Sequence, residues 1–170
     1  MENSKKIDAI LRVNHAGELG ARQIYRGMRK ILGEDIDLVL MANQEEEHLK
    51  TFTKLMIEHK VKPTIFQPLW HILSYSMGAA TAMMSKKAAH ACTIAVEEVI
   101  INHYQQQIDI LSASPEYQPL IDIIEKFKDE ESHHKEIAEH CGGKDAAGYD
   151  ILEKVVKGIT KTAIKLSTKV

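Results

Sequence analysis

The sequence predicts an all-α protein: a four-helix bundle with a long apolar crossover between helices two and three and an additional C-terminal amphipathic helix. Three observations predict it. Apolar residues recur at steps of three and four along four long segments, as on a helix face turned toward a core. No segment alternates apolar and polar residues as a strand would, and none is of low complexity. Each of the four segments also carries a glutamate inside its apolar stripe, and two continue it as Glu-x-x-His.

The first stripe reads Ile7, Leu11, Asn14, Glu18, Ala21, Tyr25, Met28, Leu32. It predicts a helix over about 4–32, with Asn3 or Ser4 as N-cap and Gly33 as the stop. Gly17 and Gly20 flank Glu18, and because glycine costs roughly 1 kcal/mol in a helix interior, close approach by a neighbouring helix or by a ligand is expected there. Asp35 is placed to cap a second helix with the stripe Leu38, Met41, Glu45, His48, Phe52, Leu55. It ends near Lys60, since the Lys62-Pro63 step disfavours helical backbone.

Residues 63–84 are the most apolar stretch, yet Gln67, His71, Ser74 and Ser76 interrupt it, Pro68 breaks it early, and Lys86 and Lys87 follow at one end only. A membrane span is therefore not expected. Two readings fit: a crossover helix packed on the bundle, and a helix lying partly in a membrane interface through Leu69, Trp70, Leu73, Met77, Met83 and Met84. Either way, a long crossover between helices two and three is the ferritin-like topology.

The third bundle helix, about 88–111, carries Ile94, Glu97, Ile101, Tyr104, Ile108 and Leu111. Ser114-Pro115 then offers an N-cap and first-turn proline to a fourth, with the stripe Leu120, Ile124, Phe127, Glu131, His134, Ala138 and a stop at Cys141-Gly142-Gly143. The last segment, about 146–168, sets Lys154, Lys157, Lys161 and Lys165 opposite Ile151, Val155, Ile159 and Ile164. Such a basic amphipathic helix suits docking with a solvated face, or an anionic membrane surface.

A length of 170 residues fits one domain, 1–170, and a formal charge of −2 gives no reason to expect nucleic acid. Cys92 and Cys141 lie in separate helices without CxxC spacing, which fits a reduced setting rather than a disulfide framework. The opening MENSKKIDAILRV lacks a secretory apolar core and is not the Arg-rich, acid-poor composition of a transit peptide, so the chain is expected to act where it is made.

Residues three apart on a helix project from one face, so each Glu-x-x-His can reach a common point. An unpaired carboxylate in a core costs several kcal/mol, and four at one level repel unless protons or cations neutralise them. One Glu from each of two helices and Glu-x-x-His from each of the other two is the ligand set of a dimetal site in a four-helix bundle. The candidate metal ligands are therefore Glu18, Glu45, His48, Glu97, Glu131 and His134. Their order repeats, with separations of 27 residues from Glu18 to Glu45 and 34 from Glu97 to Glu131, a difference of one heptad. Two related hairpins facing across a pseudo-twofold axis would bring all six to one centre.

His133 could pair with Glu130, but that pair falls off the stripe of Ile124 and Phe127. Glu46, Glu47 and Glu98 read as solvent-facing or as supports for the ligands, and His15, His59, His71, His90, His103 and His140 as surface or hydrogen-bonded histidines. Carboxylates with two imidazoles and no thiolate suit iron or manganese. Two such cations with open positions imply oxygen activation or iron oxidation.

The segments HAGELGARQIYRG, QEEEHLKTF, KPTIFQPLWHIL, ACTIAVEEVIINHYQQQI and FKDEESHH resemble the demethoxyubiquinone hydroxylase family of ubiquinone biosynthesis, and the likeness runs from about 11 to 166. Membership implies a ferritin-like bundle with two Fe ions. It implies hydroxylation of 3-demethoxyubiquinol, 2-polyprenyl-3-methyl-6-methoxy-1,4-benzoquinol, by dioxygen with NADH as electron source. It further implies peripheral membrane association and other ubiquinone-biosynthesis proteins as partners. The transit peptide of eukaryotic members is missing, so the expected setting is the cytoplasmic face of a bacterial inner membrane. Tyr104 and His103 become candidates for proton or electron relay, with Tyr104 equally readable as a core aromatic. Asn14 stands where the family usually has Asp, and Ala42-Asn43 where an aromatic residue and Asp are common. Two other classes share parts of the pattern: a ferritin- or rubrerythrin-like iron- or peroxide-handling protein, and a membrane-docking scaffold with a degenerate site.

Overall fold

The computed structural model describes residues 2–169. Its helices are α1 (Glu2–Leu32), α2 (Ile36–Glu58), α3 (Gln67–Met84), α4 (Lys86–Leu111), α5 (Gln118–His140) and α6 (Tyr149–Ser167), with short 3-10 turns at Pro115–Tyr117 and Gly143–Asp145. The Asp35 carboxylate caps α2 by accepting from the backbone N–H groups of Asp37 and Leu38. Gly33 and Gly142 take positive φ where α1 and α5 end. Two expected caps differ. The helix α1 already includes Asn3 and Ser4 in its first turn. Ser114 makes no side-chain cap and leads into a 3-10 turn, while Ser85 caps α4 by accepting from Ala88 N–H.

The helices α1 and α2 form one hairpin and α4 and α5 another, with α1 beside α4 and α2 beside α5. This is the expected ferritin-like bundle. The four stripes face its centre: Leu11, Met28, Leu38, Met41, Phe52, Ile94, Ile124 and Ala138 are fully covered, while Leu32, Leu55, Ile101 and Leu120 are half-buried. The crossover α3 lies along α1 and reaches α4, and α6 packs on α4 and reaches α1. Both added helices thus cover the same α1–α4 side.

Close approach of α1 and α3 is tightest at Gly27 and Gly78; of the two glycines beside Glu18, Gly20 faces Ser74 of α3, whose Oγ would stand 3.2 Å from a Cβ there, and Gly17 faces no neighbour. A Cβ on Gly78 would stand 2.0 Å from the Ile24 carbonyl oxygen and one on Gly27 would stand 2.2 Å from that of Tyr75, whereas nothing lies within 4 Å of a Cβ at Gly17. Only glycine lets the two backbones meet this closely.

The crossover is a packed helix with an apolar outer row. Trp70 is buried, and its indole N–H donates to Ser167 Oγ at 2.9 Å, tying α3 to α6. Leu69, Ile72, Leu73, Met83 and Met84 are exposed, as is Ile65 just before the helix. Among the described residues no helix is long and apolar enough to cross a membrane.

The faces of α6 depart from expectation. Ile151, Val155 and Ile159 point to solvent, 72%, 53% and 42% exposed, while Val156 and the half-buried Leu152 dock on the bundle. Lys157 is drawn inward, where Nζ donates to Glu98 at 2.5 Å and Glu153 at 2.9 Å. The outward surface of α6 is therefore apolar residues beside Lys154, Lys161 and Lys165, without Lys157.

Candidate metal centre

Each bundle helix delivers its stripe carboxylate to one level: Glu18 from α1, Glu45 and His48 from α2, Glu97 from α4, Glu131 and His134 from α5. All six are buried. They form two overlapping groups, Glu18–Glu45–His48–Glu131 and Glu45–Glu97–Glu131–His134, and within each group the donor atoms lie within 4.8 Å of one another. Glu45 and Glu131 belong to both groups, while Glu18 with His48 and Glu97 with His134 belong to one each. His48 Nδ1 is 3.0 Å from Glu131 Oε1 and 3.4 Å from Glu18 Oε2. His134 Nδ1 is 2.8 Å from Glu131 Oε2 and 3.3 Å from Glu45 Oε1.

The donor set fits a pair of cations. Glu18 Oε2, both oxygens of Glu45 and of Glu131, Glu97 Oε2, His48 Nδ1 and His134 Nδ1 are buried without a hydrogen-bond partner. Native interiors rarely leave such atoms unsatisfied unless an ion or water takes them up. Both imidazoles engage a side chain through Nε2, which leaves the Nδ1 lone pair facing the cluster, the tautomer a metal requires.

Without a cation, protons balance the charge. Burial, and then the charges of neighbouring glutamates with Glu131 foremost, push the carboxyls of Glu45 and Glu97 well above the usual range. Burial opposes charging of His48, but the Glu131 and Glu18 carboxylates beside Nδ1, which accept from the ring once it is protonated, outweigh it and carry the ring up to about 12. His134 is raised against burial by Glu131 in the same way. Burial alone would raise Glu131, yet the two imidazoles overcome it and bring that carboxyl down to about 2. Groups with raised pKa hold protons at neutral pH and must release them to a metal, so affinity rises with pH. Divalent-metal affinity is expected to increase at least about tenfold per pH unit between about pH 6 and pH 8, since each proton released contributes one decade per unit. Titration calorimetry in buffers of differing ionisation enthalpy measures the protons released; none released would contradict this charge balance.

Two tyrosines brace the cluster crosswise. Tyr25, seven residues after Glu18, donates its hydroxyl to Glu97 Oε1 at 2.7 Å, and Tyr104, seven residues after Glu97, donates to Glu18 Oε1. Burial first, then carboxylate charge, raises both phenols well above their ordinary value. Tyr25 has a functional position that its place in the stripe did not reveal. The signal was present: a phenol in a core must find an acceptor, and seven residues on is the next position on the ligand face.

His103 sits beside the cluster, half-buried. Gln107 Nε2 donates to His103 Nε2 at 2.8 Å, which keeps the ring neutral with its proton on Nδ1, and burial lowers the His103 pKa accordingly. Gln107 also exchanges two hydrogen bonds with Asn14, at 2.8 and 2.7 Å, a reciprocal amide pair that accounts for an amide at position 14. Among the other histidines, His59, His71 and His140 are exposed as expected, but His90 is wholly buried and neither ring nitrogen is hydrogen-bonded. Glu46 and Glu98 pair with Arg22 and with Lys135 and Lys157, away from the cluster.

A cleft between α1, α3, α4 and α6 leads to this centre. Glu18, His103 and Tyr104 line its inner end, and Leu73 of α3 and Ile159 of α6, both exposed, also line it. Its walls are mostly apolar, Val96 and Ile100 among them.

Residues 5–167 match the family model described as Ubiquinone biosynthesis protein COQ7. The chain is 41% identical over 172 residues to the cattle (Bos taurus) protein named NADPH-dependent 3-demethoxyubiquinone 3-hydroxylase, mitochondrial, covering 98% of this chain and 79% of the relative. It is 40% identical to the 3-demethoxyubiquinol 3-hydroxylase of Rhodospirillum rubrum, covering 96% and 78%. It is 34% identical to the 5-demethoxyubiquinone hydroxylase, mitochondrial, of Saccharomyces cerevisiae, covering 93% and 76%. With its carboxylate–histidine cluster inside a four-helix bundle and a match spanning nearly its whole length, the chain belongs to the COQ7 family of ubiquinone biosynthesis proteins.

Proposed function

We propose that this chain is a di-iron monooxygenase that hydroxylates 3-demethoxyubiquinol, placing one oxygen atom of dioxygen on the unsubstituted ring carbon beside the methoxy-bearing one, the other oxygen leaving as water. The observation that supports it best is the pairing of two carboxylate–histidine groups with an apolar cleft that ends at Glu18. Glu18, Glu45, His48, Glu97, Glu131 and His134 would hold two irons. Iron bound there supplies the electrons that reduce dioxygen.

The remaining work falls to the chain. The apolar walls of the cleft exclude water and admit a ring with a polyprenyl tail trailing outward. Tyr104 lines the cleft and donates to Glu18, so its hydroxyl lies between the ring's approach and the metal ligands and can pass a proton. His103 lines the same cleft as a neutral imidazole whose Nδ1–H can donate to a quinol oxygen, its Nε2 being engaged by Gln107. A reduced nicotinamide nucleotide is the proposed source of electrons: the family resemblance implies NADH, while the cattle relative's name specifies NADPH. The exposed apolar rows of α3 and α6 support peripheral attachment to a membrane, proposed as the cytoplasmic face of a bacterial inner membrane.

A ferritin- or rubrerythrin-like iron-handling role would share the bundle but has no use for this cleft. Turnover of 3-demethoxyubiquinol by the iron-loaded protein under ¹⁸O₂ decides between them. One labelled oxygen atom in the quinol product is expected by mass spectrometry. Iron oxidation that is indifferent to added quinol, with no hydroxylated product, would overturn the proposal.

A further inference from the structure

The pseudo-twofold symmetry of the centre extends past the six ligands to the groups that hold the imidazoles, and there it breaks. Gln44 immediately precedes Glu45, and Glu130 immediately precedes Glu131. Each reaches across the bundle to the other hairpin's histidine: Glu130 Oε2 accepts from His48 Nε2 at 2.7 Å, and Gln44 Oε1 accepts from His134 Nε2 at 3.0 Å. The two positions are equivalent by symmetry but not by chemistry. One presents an anion, the other a neutral amide.

A carboxylate behind an imidazole draws on its N–H, makes the opposite nitrogen a stronger donor, and fixes the plane of the ring. Glu130 is placed to do so because its side chain is only 27% exposed, and Lys126 stands 3.8 Å from the other oxygen and is itself 68% exposed. The His48 ring is further held against Phe127, with centroids 4.0 Å apart. Gln44 can orient His134 equally well, but it cannot add charge to it.

We infer that Glu130 and Gln44 are positioning residues that make the two metal positions unequal, so that the position served by Glu18 and His48 binds iron more tightly and fills before the one served by Glu97 and His134. The inference rests on the di-iron reading above. Unequal positions let one iron stay resident while the second comes and goes, and they place the more electron-rich metal on the α1–α2 side. The Glu18 end of the cluster is also the end that the cleft reaches.

Anaerobic titration of the metal-free protein with Fe²⁺, followed by calorimetry, tests it. Wild type is expected to show two unequal steps. Glu130→Gln keeps the size and the acceptor oxygen but removes the charge, and should weaken the tighter step by about 10- to 100-fold, bringing the two together. Gln44→Glu should strengthen the weaker step. With one equivalent of ⁵⁷Fe²⁺, a single Mössbauer doublet should dominate in wild type and two of comparable intensity should appear in Glu130→Gln. Two unequal steps left unchanged in Glu130→Gln would overturn the inference while leaving the di-iron reading intact. Equal weakening of both steps, with a lowered melting temperature of the metal-free variant, would mean that Glu130 serves only the fold and would also overturn it. Wild-type protein that takes up no iron overturns both readings together.

Discussion

Glu131→Gln is expected to abolish binding at both metal positions, whereas Glu97→Gln costs only one. Glu131 offers an oxygen to each group and Glu97 to a single one, and a neutral amide is a poor substitute for a carboxylate shared between cations. Iron should fall from about two per chain to near zero in Glu131→Gln and to about one in Glu97→Gln. Turnover should drop at least about a hundredfold in both, since loss of an outer partner alone costs 10- to 100-fold. The metal-free variants should separate in the opposite sense from simple charge removal. Burial and neighbouring charge push the Glu97 carboxyl well above its usual range and favour its neutral form, so an amide replaces it at little cost and still accepts from Tyr25. Glu131 is the anion that both imidazoles share, and without it they lose their counter-charge, which lowers stability by up to about 3 kcal/mol. Metal analysis and thermal melting of the metal-free proteins check both parts; equal iron loss in the two variants would show that Glu131 is not shared.

Replacing Leu69 and Ile72 in α3 by Asp is expected to release the protein from lipid vesicles without disturbing the centre. Both side chains are exposed, 46% and 64%, and neither lines the cleft, so their loss leaves the bundle and the path to Glu18 in place. Burying a large aliphatic side chain contributes about 1.5–3 kcal/mol, so the pair should lower vesicle partitioning by roughly a hundredfold or more. Ile151→Asp with Val155→Asp in α6 should act in the same direction. Iron content and turnover of a short-chain, water-soluble quinol should stay within about twofold of wild type, while turnover of a long-chain quinol in vesicles falls with binding. Reversing Lys154, Lys161 and Lys165 should matter on anionic vesicles only, at roughly 1 kcal/mol each. Trp70, which the sequence presents as an interface residue, is unsuitable for this test because it is buried and bonded to Ser167. Unchanged flotation of the Leu69 and Ile72 variant would show that the outer row of α3 does not meet lipid.

The six cluster residues were legible because a buried carboxylate is a conspicuous exception in an apolar stripe, and four such exceptions in a repeating order leave few explanations. Tyr25, Gln44 and Glu130 were harder to assign. Their partners are 72, 90 and 82 residues away in sequence, on helices whose facing is settled only when the hairpins close. The faces of α6 were misread for a related reason. Its periodicity offers two neighbouring apolar rows, one through Leu152 and Val156 and one through Ile151, Val155 and Ile159, and periodicity alone does not say which is covered. The choice is made from outside the helix, where Glu98 of α4 pulls Lys157 inward and rotates the second row toward solvent. The long crossover was predicted as a helix with two open roles: one face packs along α1, as the first requires, and the other presents apolar side chains outward, as the proposed membrane contact would require.

The meeting of Gly27 and Gly78 has a mechanical consequence. Near Gly78 the backbone of α3 rests directly on that of α1, with no side chain between them to compress or to change rotamer, so this point acts as a fulcrum. Toward its N-terminal end, α3 is latched to α6 by the Trp70–Ser167 hydrogen bond. At 1.5 Å of rise per residue, Trp70 stands about 12 Å along the helix from Gly78. A tilt of about 10° around the fulcrum would swing that end by about 2 Å while leaving the contact at Gly78 almost still. Such a tilt would displace α3 where Trp70, Leu73 and Ser74 line the cleft, so the entrance would breathe while the carboxylates, carried by the four bundle helices, keep their spacing.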